Sequence, residues 1–368
     1  MKKLKNNQGN QTEVSKRKLI CYIHDQKLRE GDALPSQTVL RKLFGVGAFT
    51  IQRAISALEK DGILETIPHR AVRVKSLKTN GYDARLIGLV CLRRSYIPSS
   101  TILLQCLLNQ LADQNCQCKL FLRNSNQMTD VDSLAHFDGL QRCIERGLIH
   151  GILTTVSFDD KSWRIIRDHH IPVVSMDTAS HNKGCKVSFA SILPQAYGIV
   201  KSRHLRRPAL IHCGYPFVNA IRSEFKAYFP KQDEQYCRFL FPDMIEADEA
   251  LPMANAAQKV LDDFCGMPED LRPDVLIIPD DFIINYVYTE LLKRRLASPS
   301  FHWQPHFIYI IQKQNLFFTP SEPIGDCFEF DIIQYAERAV QALHEKMTGS
   351  FNAENENITV IPHLVNAP

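Results

Sequence analysis

From residue 85 onward the chain alternates short apolar runs with helix-length amphipathic segments, an order that few folds can accommodate. The apolar runs are "LIGLVCL" at 86–92, "CKLFLRN" at 118–124, "GILTTV" at 151–156, "PVVSMD" at 172–177, "RPALIHCG" at 207–214, "DVLIIP" at 274–279 and "HFIYII" at 306–311. Helical patterns fall near 101–111, 132–145, 161–169, 218–228, 281–293 and 330–347. A strand that is apolar on both faces needs cover on both faces, which calls for parallel sheets flanked by helices. Residues 85–368 exceed what one small sheet organises, so the pattern predicts an α/β domain of two lobes.

The first 75 residues follow a different rule, and residues 76–84, polar and aperiodic around Gly81, read as a linker. Leu19, Ile20, Ile23 and Leu28 mark one helix face over about 14–27. Ser36, after Pro35, is placed to cap a second helix that ends at Gly45. A third helix over 48–60 turns Ile51, Ala54, Ile55 and Leu58 inward and stops at Asp61-Gly62. Apolar runs at 63–67 and 71–75 flank Pro68-His69-Arg70 as a hairpin. Three helices and a hairpin describe a winged helix.

Charge separates the same two regions. Residues 1–80 hold 16 basic and 7 acidic side chains, a net +9, within a chain whose total is +4. A polyanion is therefore expected to meet the N-terminal domain alone. The outward side of the third helix carries Thr50, Gln52, Arg53 and Ser56, residue types that reach base edges and phosphates in a major groove. His69, Arg70 and Arg73 on the hairpin are placed for backbone or minor-groove contact.

Other classes lack their signatures. No apolar run reaches the roughly 18–20 residues of a membrane span, and no apolar signal core follows the basic start MKKLKNNQGN, so the protein is expected in the cytoplasm. The 11 cysteines follow neither disulfide nor zinc spacing and read as reduced thiols. No metal and no cofactor are expected. There is no GxSxG, Walker-type, GxGxxG or HExxH motif, which argues against an enzyme, although neighbouring Asp280 and Asp281 could serve acid–base work.

The stretch "LREGDALPSQTVLRKLFGVGAFTIQRAISALEKDGILETIPHRAVRV" resembles the winged helix of the GntR family over roughly 13–76. The resemblance implies a DNA-binding dimer with residues 48–60 as recognition helix, and contacts at Ser36, Gln37, Thr38, Ala48, Phe49, Thr50, Gln52, Arg53, His69 and Arg70. Thr38, Ala48 and Gln52 stand where the family usually has arginine. Each absent guanidinium removes a contact of about 1–3 kcal/mol, so the DNA preference should differ from the family's average.

The remainder resembles the LacI/GalR sensor, itself similar to periplasmic sugar-binding proteins, through "HGIL", "IPVVSMD", "RPALIHCG", "RPDVLIIPDD" and the segment from Pro323. In such sheets ligands sit beyond the carboxyl ends of the strands. Those ends carry Arg93, Tyr96, Ser157, Asp177, Tyr215, Asp281 and Gln312, with Arg222 on the helix that follows "RPALIHCG". By resemblance, Arg222 and Asp281 clasp sugar hydroxyls, since one donates and the other accepts. Ile311, Gln312 and Lys313 replace the Gly and Asp usual in sugar sensors. Asp281 could instead cap its own helix. GntR-type head plus LacI-type sensor is the arrangement of arabinose-type repressors, which implies a homodimer on operator DNA controlled by a small molecule, a sugar by analogy. A ligand-binding protein with a degenerate head is the alternative, and an α/β enzyme a more distant one.

Overall fold

The first domain is built on helix α3 (Ala48–Lys60), whose Ile51, Ala54, Ile55 and Leu58 are buried against the helices before it. The computed structural model describes residues 2–26, 28–67, 71–76, 85–91, 98–124, 131–176, 184–214, 218–241, 251–298, 300–313, 318, 320, 322–352 and 356–365. Helix α1 (Lys2–Asp25) contributes Leu19, Ile20 and Ile23 to this core, and α2 (Gln37–Phe44) contributes Leu40 and Phe44. Ser36 caps α2 through its hydroxyl, which accepts from the Val39 N–H at 3.4 Å, and Gly45 ends it at φ 64°, a conformation glycine adopts without strain. Strands β1 (Leu64–Thr66) and β2 (Val72–Val74) pair antiparallel, and residues 31–34 add backbone bonds to β2. The expected winged helix is present.

Beyond it lie two six-stranded sheets among the described residues. The first has the order β13-β7-β6-β5-β3-β4, from β3 (Arg85–Cys91), β4 (Cys116–Leu122), β5 (Gly151–Thr154), β6 (Val173–Ser175), β7 (Cys185–Phe189) and β13 (Asn357–Val360). All its pairs are parallel. The second has the order β14-β12-β11-β10-β8-β9, from β8 (Pro208–Gly214), β9 (Cys237–Phe241), β10 (Val275–Ile278), β11 (His306–Gln312), β12 (Gly325–Phe330) and β14 (His363–Val365). Only β14, at the edge, runs antiparallel. Buried runs such as Gly151–Thr154 and Val275–Ile278 are enclosed on both faces, as continuous apolar strands require.

The helices distribute between the sheets. α4 (Pro98–Asp113) and α11 (Ile332–Thr348) pack together over the first sheet, and α5 (Leu140–Glu145) with α6 (Asp160–Asp168) cover its other face. α7 (Leu193–Ser202), α8 (Val218–Tyr228), α9 (Leu251–Cys265) and α10 (Asp281–Ala297) enclose the second sheet. The α11 contact is close. A Cβ on Gly151 would stand 2.9 Å from a Leu343 methyl and 3.2 Å from the Met347 sulfur, so a side chain there would have to displace those of α11.

The chain changes lobe three times: from β7 into α7, from β12 into α11, and between β13 and β14 at Ile361-Pro362. Phe189 ends β7 and Phe330 ends β12, and their rings meet at 5.4 Å with Tyr335 of α11 against both. The carboxyl ends of both sheets therefore lie toward the junction between lobes.

Candidate nucleic-acid interface and ligand cleft

On the first domain, the residues left outside the core of α3 form one continuous stripe. Phe49, Gln52, Arg53, Ser56, Ala57 and Lys60 line a shallow groove along this face, spaced three and four apart as one side of a helix requires. Ser36, Gln37, Thr38, Ala48, Phe49, Gln52 and Arg53 are exposed, and Thr50 is half-buried. Exposed Arg41 and Lys42 add charge in the last turn of α2. Arg73 is turned back into the fold, donating to the Gly31 carbonyl at 2.7 Å. His69 and Arg70 lie outside the described residues.

A junction that the sequence did not announce joins this domain to the first lobe. Arg85, the first residue of β3, is 2% exposed. Its guanidinium pairs with the Asp25 carboxylate, donates to the Cys21 carbonyl at 3.4 Å, and donates to His344 Nδ1 of α11 at 3.0 Å. Burial holds the His344 imidazole below its ordinary pKa, which keeps Nδ1 free to accept. Cys21 enters the core of the first lobe. Arg17 donates to the His170 carbonyl at 2.9 Å, and Lys18 donates to the Phe44 carbonyl at 3.3 Å. The Lys18 ammonium also lies against Gly349, the residue that caps α11. One helix of the winged domain thus grips the carboxyl end of α11.

At the carboxyl end of the second sheet, Asp281 opens the helix after β10 and Gln312 ends β11, while Arg222 lies in the second turn of the helix after β8. Asp280, not Asp281, caps α10, its carboxylate accepting from the Phe282 N–H at 2.9 Å and the Ile283 N–H at 3.2 Å. This corrects the capping alternative for Asp281. Asp281 is 4% exposed, and its Oδ2 has no hydrogen-bond partner among the described residues. Burial first, and the Asp280 charge second, push its carboxyl up to about 7. Gln312 Oε1 and Arg222 Nε are buried and likewise unpartnered there. The Arg222 guanidinium lies 5.5 Å from the centre of the Phe239 ring, which also stacks edge-on against His212. Burial lowers the His212 imidazole to about 4, so this ring stays neutral.

Native interiors pair most of their buried polar atoms, so the unpartnered Asp281, Gln312 and Arg222 atoms stand out among the described residues. In the first lobe Ser157 is buried and its carbonyl accepts from the Asp132 N–H at 2.7 Å. Arg93, Tyr96, Asp177 and Tyr215 lie outside the described residues. Phe239 escaped the sequence reading because Arg238 interrupts the short run Cys237–Phe241, and His212, inside the strand read at 207–214, carried no motif that singled it out.

Comparison with known proteins agrees with both halves. Residues 13–74 match the model of the bacterial regulatory proteins of the gntR family. Over these residues the N-terminal domain is similar to the gntR-family DNA-binding domain. Among solved structures, the transcriptional regulator CelR in complex with cellobiose is similar at 13% identity and TM-score 0.54, over 90% of this chain and 99% of that one. The Cra dual regulator of Pseudomonas putida, bound to fructose 1-phosphate, is 17% identical with TM-score 0.55, over 77% of this chain and 99% of that one. A dimeric Lac repressor with a C-terminal deletion is 10% identical with TM-score 0.55, over 77% and 100%. At these identities the likeness is one of fold, the two-lobed fold of LacI-family regulators. Comparison with curated protein sequences gives no match. No helix among the described residues is long and apolar enough to cross a membrane.

Proposed function

We propose that the chain is a ligand-responsive transcription regulator, a repressor that binds operator DNA as a homodimer and changes its grip when a small polar molecule enters between the sensor lobes. The observation that carries this reading is the junction at Arg85, which joins a gntR-type head to α11 of a two-lobed sensor. A ligand acts only through its different affinity for two arrangements. Closing the lobes moves the β12–α11 crossing, and α11 ends where the head is held. A coupling of about 1–3 kcal/mol is enough for a switch.

The effector is a hydroxylated metabolite of the sugar class. Asp281 and Gln312 supply acceptors, Arg222 supplies a donor and Phe239 a ring wall, the set that suits a diol. The cellobiose and fructose 1-phosphate complexes of similar fold support this class. Ser157, buried in the first lobe, would approach from the other side, and Arg93, Tyr96 and Asp177 remain candidates outside the described residues. The partner copy would meet the α4–β4 edge of the first lobe, where Leu108, Leu120 and Leu122 are exposed. This is the arrangement of arabinose-type repressors, at work in the cytoplasm where operator DNA is found, without catalysis, metal or cofactor.

Fluorescence anisotropy of the full chain on the DNA upstream of its own gene tests this, across a salt series and with a sugar panel. Expected is sequence-selective binding that weakens steeply with salt and shifts with one sugar. Equal affinity for unrelated DNA, or no binding at low salt, would leave only a ligand-binding protein.

A further inference from the structure

The least expected side chain on the DNA-facing helix is Phe49. It occupies the second position of α3, next to the N-cap Gly47 and the small Ala48, and is 79% exposed. Its neighbours in the same helix, Ile51, Ala54, Ile55 and Leu58, complete the core, so folding makes no use of the Phe49 ring. The ring heads the groove that continues through Gln52, Arg53, Ser56 and Lys60. An apolar ring fixed in a cationic face is not suited to water, nor to an apolar protein surface that would have to bury the adjacent guanidinium and ammonium groups.

A duplex resolves this combination. Phosphates meet Arg53, Lys60 and the exposed Arg41 and Lys42, while the N-terminal turn of a recognition helix goes deepest into the major groove. The apolar feature of that groove is the C5-methyl of thymine. Ala48 and Gly47 leave the helix end slender, so the ring can reach the groove floor ahead of the polar side chains.

Building on the DNA-binding reading above, we infer that Phe49 is a specificity-determining residue that recognises a thymine methyl in each half-site. The chain thereby replaces a hydrogen-bonding contact at the helix tip with an apolar one. Gln52 and Arg53, one turn further along, read neighbouring bases by hydrogen bonding.

Deoxyuridine removes the methyl and leaves every hydrogen-bonding group of thymine in place, so it isolates this contact. Duplexes would be selected from a random library with the full-length protein. Each invariant thymine would then be replaced by deoxyuridine, and binding compared for wild type, Phe49→Ala and Phe49→Leu. Wild type should lose about fourfold in affinity at one thymine per half-site, the equivalent of one buried methyl. Phe49→Ala should bind more weakly and be indifferent to deoxyuridine at that position, and Phe49→Leu should keep part of the penalty. All three should melt at the same temperature, because the ring is exposed. Selected duplexes without an invariant thymine, or a penalty that persists in Phe49→Ala, would overturn the inference. The salt series separates this from the broader reading: salt-sensitive binding without deoxyuridine sensitivity overturns the role of Phe49 alone, and salt-insensitive or absent binding overturns both.

Discussion

Replacing Asp281 by Asn should stabilise the empty protein, and by an amount that depends on pH. The carboxyl is raised from 3.8 to about 7 in the folded chain, first by burial and then by Asp280. The folded state therefore holds this proton more tightly than the unfolded state does. The stabilisation it gives is complete below pH 4 and is lost as pH rises through 7. A shift of about 3 units corresponds to about 4 kcal/mol once the group is fully ionised. Asn has nearly the same shape and no charge to desolvate. At pH 8 the Asp281→Asn variant should thus gain about 4 kcal/mol over wild type, and at pH 5 about 2 kcal/mol. For a sensor of this size that is roughly 8 °C in Tm at pH 8 and half as much at pH 5. Differential scanning calorimetry between pH 5 and 8 measures both curves. A Tm difference that is constant across this range, or of opposite sign, would refute the argument. The same substitution should weaken effector binding, since the charged acceptor costs stability until a hydroxyl donates to it. Wild-type affinity for the effector should accordingly rise as pH passes 7.

Three further outcomes are expected. Asp25→Ala leaves Arg85 buried without its carboxylate, a defect of about 3–5 kcal/mol if the head stays in place; release of the head should relieve it, and the effector should then no longer alter DNA affinity in an anisotropy titration. Gly151→Val drives a side chain into Leu343 and should cost about 1–3 kcal/mol by overpacking, read as a lower Tm. Leu120→Arg with Leu122→Arg, both on the exposed side of β4, should convert the proposed dimer to a monomer in analytical ultracentrifugation while leaving the circular dichroism spectrum unchanged.

How much of this was legible depended on whether a segment's signals were local. Helix α3 was read at both ends, because an inward stripe with period 3.6 stops at Asp61-Gly62. The Ser36 cap and the Gly45 stop were equally plain. α1 begins far earlier than expected, since its polar start around Gly9 has no periodicity to read. β7 and β9 were missed because Lys186 and Arg238 interrupt their apolar runs, and partners distant in sequence decide their burial. "ITVIPHLV" reads as one closing strand, yet Pro362 lies between two strands that belong to different sheets. At the site, the Asp280-Asp281 pair was visible, but which carboxylate caps the helix depends on a backbone turn that composition does not encode. Arg85 gave a signal that went unread: an arginine opening an apolar strand directly after a linker.

The threefold crossing between lobes also sets the order in which the protein can be completed during synthesis. The winged head has all its residues once the chain passes position 75, so it can fold while the rest is still being made. The first sheet has five of its strands by Phe189, but α11 and β13 arrive only after residue 331. At about 5–20 residues per second, the surface around Gly151 waits roughly 10–40 seconds for Leu343. The nascent chain must therefore carry a finished DNA-binding head beside a sensor with one bare apolar face. A chaperone that shields apolar surface has its client in that interval, which ends as β13 joins the first sheet and β14 the second.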